Sequence, residues 1–177
     1  MPKTTKKALF LDRDGVINMD YDYVHKVEEF EFIDGIFELC RYYQNLGFMI
    51  FVITNQSGIS RGYYSEEAFA QLSLWMVEEF AKHNIEIKKV YHCPHHPETS
   101  GECSCRKPEA GMLLDAKKEF DIDLENSVLV GDKEGDIEAG LKAGLNETYL
   151  LDVSNCVKDS KASKIVSKLE DIWNNRC

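Results

Sequence analysis

Leu9-Phe10-Leu11-Asp12-Arg13-Asp14-Gly15 is the segment around which the rest of the chain can be arranged. Three apolar residues in a row read as a short buried strand. The charged Asp-Arg-Asp sits at its carboxyl end, and Gly15 lets the chain turn away. In open α/β sheets that edge is where ligands bind. Two carboxylates one residue apart can divide labour there, Asp12 attacking an electrophile or binding a metal and Asp14 working as acid and base. A bare Asp-x-Asp is also what a strand running into a polar turn looks like, so the weight falls on what accompanies it downstream.

Phe48-Met49-Ile50-Phe51-Val52-Ile53 is a second unbroken apolar run, as expected of a parallel strand covered on both faces. It ends in Thr54-Asn55-Gln56-Ser57-Gly58. Lys89-Val90-Tyr91 reads as a short third strand. Ser127-Val128-Leu129-Val130 reads as a fourth that ends in Gly131-Asp132, and Glu147 to Leu151 as a last short one. Helical spacing between them predicts a helix from about Gly35 to Leu46 with Gly47 as its C-cap. A long helix is expected after the N-cap Ser65, with Phe69, Leu72, Met76, Val77 and Phe80 on its apolar stripe. Further helices are expected at about Ala110 to Phe120 and Gly135 to Ala143, the latter closed by Gly144. Asn18 to Glu31 is read as a long loop over the first strand end, of the kind that serves as a lid or binding loop. Ser154 to Ser163 is polar, and Ile165 to Trp173 reads as a C-terminal helix packing through Ile165, Leu169 and Ile172.

Strands alternating with helices predict an α/β fold with a doubly wound, Rossmann-like parallel sheet. Asp12/Asp14, Thr54 and Asp132 then converge on one edge of it. No repeat or linker divides the 177 residues, so a single domain spanning 1–177 is expected, without a large cap domain. The composition, 44% hydrophobic and 29% charged, is that of a globular chain. A net charge of −10 argues against nucleic acid or a membrane surface as partner, since both are polyanionic. A phosphate site must therefore be made locally, by a metal and a few cations. The basic Met1-Pro2-Lys3-Thr4-Thr5-Lys6-Lys7 leads into too short an apolar run for a signal peptide, and no run approaches the ~20 residues of a membrane span. A cytoplasmic monomer acting on a small molecule is the expectation, with its six cysteines reduced.

If the substrate carries a phosphoryl group, its transfer needs an in-line nucleophile, a metal, cations for the equatorial oxygens and a proton for the leaving alkoxide. Asp12 can be the nucleophile, and Asp14 can protonate the leaving group and then activate water. Asp12 and Asp132 can hold Mg²⁺, which prefers hard oxygen ligands. Thr54 offers a hydroxyl and Lys107 a positive charge to the phosphoryl oxygens.

These residues carry a resemblance. Asp12-Arg13-Asp14-Gly15, Thr54-Asn55, Lys107 and Gly131-Asp132-x-x-x-Asp136 resemble the four motifs of the haloacid dehalogenase superfamily of aspartate-nucleophile phosphatases, over the chain to about Leu151. Within it the nearest resemblance is to the heptose 1,7-bisphosphate 7-phosphatases, through Tyr23-Val24-His25, Phe30 to Gly35, Thr54 to Ile59, Cys93-Pro94-His95-His96-Pro97, Cys103 to Pro108 and Gly131-Asp132-Lys133. The resemblance implies Asp12 as nucleophile and Asp14 as acid and base, with Mg²⁺ held by Asp12, the Asp14 carbonyl and Asp132. Thr54 and Lys107 would steady the phosphoryl group. Arg13, Asp20, Tyr21, Asp22, Tyr23, Asn55, Gln56, Ser57, Arg106 and Lys133 would meet the rest of the substrate. Asp136 is expected to orient Lys107 or Lys133 rather than bind metal. The loop from His96 to Glu102 is shorter than in the heptose enzymes and closer to the related histidinol-phosphate phosphatases, which keeps that substrate as the alternative; Gly131-Asp132-Lys133, where those enzymes carry Gly-Asp-Arg, points the other way.

Cys93-x-His95 and Cys103-x-Cys105 offer three thiolates and an imidazole within thirteen residues, a set that suits a closed, structural tetrahedral Zn²⁺ in the loop 92–105. His95 is preferred to His96 by the resemblance and by alternation with Cys93; His92 is read as a polar strand-end residue. Cys40, Cys156 and Cys177 read as a core, a loop and a C-terminal thiol. A zinc module that binds partners without catalysis is the rival of another class, but leaves Asp12, Asp14 and Asp132 unexplained. A phosphotransferase using an acceptor other than water is a further enzymatic reading.

Overall fold

The computed structural model describes residues 5–174, so Cys177 and the first four residues of the basic N-terminus lie outside the described residues. Six parallel strands form one sheet. β1 (Ala8–Leu11) is followed by β2 (Met49–Asn55) and β3 (Ile87–Cys93), each added outward on one side. The chain then returns to place β4 (Val128–Gly131) on the other side of β1, with β5 (Glu147–Leu151) and β6 (Lys164–Val166) beyond it. The order is β3-β2-β1-β4-β5-β6, so the direction of winding reverses between β1 and β4. That reversal opens a crevice at the carboxyl ends of the two strands.

Alternation along the strands divides the core into two. Leu9 and Leu11 face one layer, with α1 (Ile36–Asn45), α2 (Glu66–Lys82) and α6 (Glu170–Asn174) packed on it through Leu39, Met76, Phe80 and Ile172. Ala8 and Phe10 face the other, covered by α4 (Gly111–Phe120) and α5 (Glu134–Ala143) through Leu113, Ala116 and Ile137. A one-turn α3 (Pro97–Ser100) lies in the Cys/His segment, with the His96 ring capping its amino end. Ser65 caps α2 by accepting from the Ala68 N–H, as its position predicts.

Three expectations change. The third strand is not Lys89–Tyr91 alone but runs to Cys93, paired with β2 as far as Asn55, so the first cysteine of the cluster is anchored on the sheet. The expected C-terminal helix from Ile165 to Trp173 is instead β6 followed by the short α6. Ile165 and Val166 pair with Leu150 and Leu151, because the open edge of β5 gives β-branched residues a ladder that outweighs local helical spacing. Leu169 and Ile172 still bury themselves as expected. α5 begins at Glu134, one residue before the expected start near Gly135, with Lys133 as its N-cap.

Candidate active site

Asp12 leaves β1 and Asp132 leaves β4, on either side of the reversal, and the Asp12 N–H donates to Val130 O across the gap at 3.1 Å. Two glycines make the close approach possible. Gly15 has φ +91°, a left-handed conformation, and a β-carbon there would collide with the Asp132 carboxylate; one on Gly131 would collide with Asp136.

Lys107 is the cation of the floor. Its ammonium donates to Asp12 Oδ1 at 2.8 Å and Ile53 O at 2.8 Å, and pairs with Asp136 Oδ1 at 2.7 Å. Burial alone would lower its pKa, but Asp12 and Asp136 outweigh that and drive it above the usual lysine value. Asp136 Oδ2 accepts from the backbone N–H groups of Asp132 and Lys133, both at 3.1 Å, the orphan donors at the start of α5. With Oδ1 on Lys107, Asp136 therefore orients that side chain, and it touches Lys133 only through the backbone.

Burial first, and Asp136 second, push Asp12 up to about 6 against the pull of Lys107. Asp132 is pushed up to about 9 by burial and by Asp12 and Asp136. Its Oδ1 has no hydrogen-bond partner among the described residues. Carboxylate oxygens of Asp12, Asp132 and Asp136 lie within 4.8 Å of one another. Two buried acids, Asp12 and Asp132, both pushed upward and flanking an unpartnered carboxylate oxygen, are a donor set that a hard divalent cation satisfies, and Mg²⁺ fits it; both oxygens of Asp136 are already engaged by Lys107 and backbone N–H groups.

Asp14 is held by three donors. Arg13 Nη2 at 2.9 Å and Asn18 Nδ2 at 3.0 Å reach Oδ1, and Gln56 Nε2 at 3.1 Å reaches Oδ2. Arg13, expected to meet the substrate, is buried and off the cleft lining. Alternation at the strand end turns it off the cleft, 1% exposed, to Val24 O at 2.6 Å and between the rings of Phe30 and Phe69, with Nη2 also on Asp14. It ties Asp14 to the loop instead.

The cleft, about 250 Å³, is lined by Asp12, Asp14, Asp20, Asp22, Tyr23, Asn55, Gln56, Ser57, Tyr64, Arg106, Lys107, Lys133 and Asp136. Most of the expected contact residues are thus gathered, with Thr54 buried beside them at the end of β2. Asp22 and Tyr23 take left-handed φ of 58° and 56°, unusual for non-glycine residues and typical of segments shaped for binding. Lys133 is bridged to Asp20 at 3.2 Å, across the mouth of the cleft. Tyr21 lies off the cleft lining, its hydroxyl bonded to Glu31. Asn55 borders the cleft, but its amide oxygen and nitrogen clamp the Lys107 N–H and C=O at 3.0 and 3.1 Å, so its polar atoms position Lys107.

Asn18 and Tyr64 carry no sequence signal of their roles. Asn18 sits in a loop where its type is ordinary. Tyr64 precedes a helix N-cap, where an apolar residue commonly staples the helix.

The sulfurs of Cys93, Cys103 and Cys105 converge, 2.6 Å apart for Cys93 and Cys105 and 3.5 Å for the other two pairs. Burial, then the Cys105 thiol, pushes the Cys93 thiol up, the reverse of what a bound metal would do. The His95 ring is not part of this cluster; His96 is engaged elsewhere, with Nδ1 on the Glu98 N–H and Nε2 on Arg61. The His95 carbonyl accepts from Arg106 Nη1 at 3.2 Å, linking the cysteine loop to the cleft. Cys40 is a buried core thiol and Cys156 an exposed loop thiol. Among the described residues no helix is long and apolar enough to cross a membrane.

A family model described as HAD-hyrolase-like matches residues 104–163. The chain is 57% identical over 145 residues to the D-glycero-alpha-D-manno-heptose-1,7-bisphosphate 7-phosphatase of Campylobacter jejuni, covering 82% of each. It is 48% identical over 149 residues to the D-glycero-beta-D-manno-heptose-1,7-bisphosphate 7-phosphatase of Haemophilus influenzae, covering 82% of this chain and 81% of that one. Among solved structures, the D,D-heptose 1.7-bisphosphate phosphatase from B. bronchiseptica, complexed with magnesium and phosphate, superposes with a TM-score of 0.82 at 26% identity, covering 94% of this chain and 95% of that one.

Proposed function

The chain belongs to the heptose-1,7-bisphosphate phosphatases of the haloacid dehalogenase-like hydrolases, and from that membership we propose that it hydrolyses the 7-phosphate of a D-glycero-D-manno-heptose 1,7-bisphosphate. The observation that carries the reading is the pairing of Asp12 with Lys107 beside the unpartnered Asp132 carboxylate at the reversal of the sheet.

Asp12 attacks the phosphorus in line, forming an aspartyl-phosphate as the bond to the sugar oxygen breaks. Asp14 gives its proton to that oxygen and then takes one from the water that cleaves the aspartyl-phosphate. Lys107 and the Thr54 hydroxyl hold the phosphoryl oxygens. Asp12, Asp132 and the Asp14 carbonyl would hold Mg²⁺, which would neutralise charge on the transferring group. Arg106 and Lys133, surplus to the catalytic floor, meet the second phosphate, for which an arginine fork is well shaped. Both sit in an otherwise acidic chain, which fits a site whose positive charge is made locally.

Cys93, Cys103 and Cys105 would hold a structural Zn²⁺, and the His95 imidazole, which lies outside their cluster, would have to turn toward them to serve as fourth ligand. That staple sets the 92–105 loop of a single domain, acting as a cytoplasmic monomer on a soluble substrate. The test is phosphate release from both anomers of the heptose bisphosphate and from histidinol phosphate, with and without Mg²⁺. Mg²⁺-dependent release from the bisphosphate with a higher kcat/KM than from histidinol phosphate is expected; the reverse preference moves the chain to the histidinol branch.

A further inference from the structure

We infer that Gln56 is the positioning residue that sets the proton-transfer partner and the phosphoryl-holding hydroxyl in register, with Tyr64 fixing the direction in which its amide faces. Gln56 is 2% exposed at the carboxyl end of β2. Its amide nitrogen donates to Asp14 Oδ2 at 3.1 Å and to Thr54 Oγ1 at 2.9 Å, while its amide oxygen accepts from the Tyr64 hydroxyl. The ionised Asp14 carboxylate only accepts, so it holds the amide nitrogen on its side, and the Tyr64 hydroxyl then donates to the amide oxygen. A flipped amide would set its oxygen against the Asp14 carboxylate and lose the bond that the Tyr64 hydroxyl donates to it.

The arrangement has two chemical consequences. Asp14 Oδ1 is occupied by Arg13 and Asn18, whereas Oδ2 receives Gln56 alone, so Oδ2 keeps the lone pair that carries the exchanged proton. Thr54 Oγ1 accepts from Gln56, which directs the hydroxyl hydrogen away from Gln56; its own contact, donated to Asn55 O at 3.5 Å, is long, so a phosphoryl oxygen can take its place. The Tyr64 ring is in turn held on both sides. It lies so close on Gly58 that a β-carbon there would strike it, and it stacks on His25 at 5.0 Å with the planes 7° apart. His25 belongs to the loop that borders the cleft, so the loop and the proton-transfer apparatus share one rigid support.

This inference rests on the phosphatase reading, and the experiment separates the two. kcat/KM is measured with saturating Mg²⁺ for aryl phosphates of rising leaving-group basicity, using the wild type, Gln56→Leu and Tyr64→Phe. Wild-type turnover of the most activated ester tests the reading itself. kcat/KM ends at the first irreversible step, so it reports protonation of the leaving group and not the later hydrolysis. Gln56→Leu is expected to lose little on the most activated ester and about 10- to 100-fold on the most basic one, because a displaced Asp14 fails where a proton is needed. Tyr64→Phe keeps the ring on Gly58 and His25 and should steepen the same dependence to a smaller degree. It carries the test if Gln56→Leu lowers the melting temperature enough to unfold. A uniform loss across the series in a folded variant, or no loss, overturns the inference, since a merely loosened site would not distinguish leaving groups.

Discussion

The Asp132 carboxylate occupies the space that a β-carbon on Gly15 would need. The two residues lie at the ends of β1 and β4, and only the absence of a side chain on one lets the acid of the other stand beside Asp12. Gly15→Ala should therefore displace Asp132 and strain a backbone held at φ +91°. A stability loss of at least about 1 kcal/mol is expected, together with weakened Mg²⁺ activation and about a 100-fold drop in kcat. Thermal unfolding and a Mg²⁺ titration of activity check it; unchanged activation would remove Asp132 from the metal site.

Asp12→Asn should abolish turnover while keeping the fold, because the amide oxygen can still accept from Lys107, whose ammonium also keeps Ile53 O and Asp136. A loss of about 10⁴-fold or more is expected when a nucleophile is removed. Retention of a substantial part of the activity in a purified, folded sample would rule Asp12 out as the nucleophile.

Proton uptake by the acids gives a pH signature. Asp132 is raised from 3.8 to about 9 and Asp12 from 3.8 to about 6 in the metal-free protein. Between those values the folded chain holds protons that the unfolded chain has released, so metal-free stability should fall as pH rises from 3.8 toward about 9. Mg²⁺ favours the ionised acids and should flatten the slope. Melting curves of wild type and Asp132→Asn, with and without Mg²⁺, read this directly; equal slopes in metal-free wild type and Asp132→Asn would refute it.

Zinc removal should loosen the cysteine loop and, through the His95 carbonyl, release Arg106. Cys103→Ser or chelation is expected to lower Tm by on the order of 5 °C or more and to raise KM for the bisphosphate, with about one Zn²⁺ per chain found by metal analysis. A metal-free preparation with the same Tm and kinetics would contradict the staple.

Arg106→Ala should cost roughly 1.5 to 3 kcal/mol, about 10- to 100-fold in kcat/KM, on the bisphosphate and far less on a simple aryl phosphate. Only the bisphosphate uses the distal contact. Equal losses on the two substrates would assign Arg106 to the structure of the loop alone.

The sequence by itself determined the three central strands, β1, β2 and β4, and the convergence of the polar residues at their ends. β1, β2 and β4 are buried on both faces, which demands continuous apolar runs, and polar Asp12, Thr54 and Asp132 then stand out at their ends. The cysteine spacing was legible for a similar reason, since Cys103 and Cys105 are near neighbours and Cys93 ends a strand beside them. Tertiary structure alone decided the partners. Asn55 clamps the backbone of Lys107 from 52 residues away, and Lys107 reaches Asp12 across 95, distances over which local pattern holds no information. It also turned Ile165 and Val166 from an expected helix into β6, because the edge of β5 needed hydrogen-bond partners. The family resemblance implied Arg13 and Gln56 as substrate contacts. Which way each side chain points was settled by the pleat at the strand end and by Tyr64 and Val24, brought there by the fold.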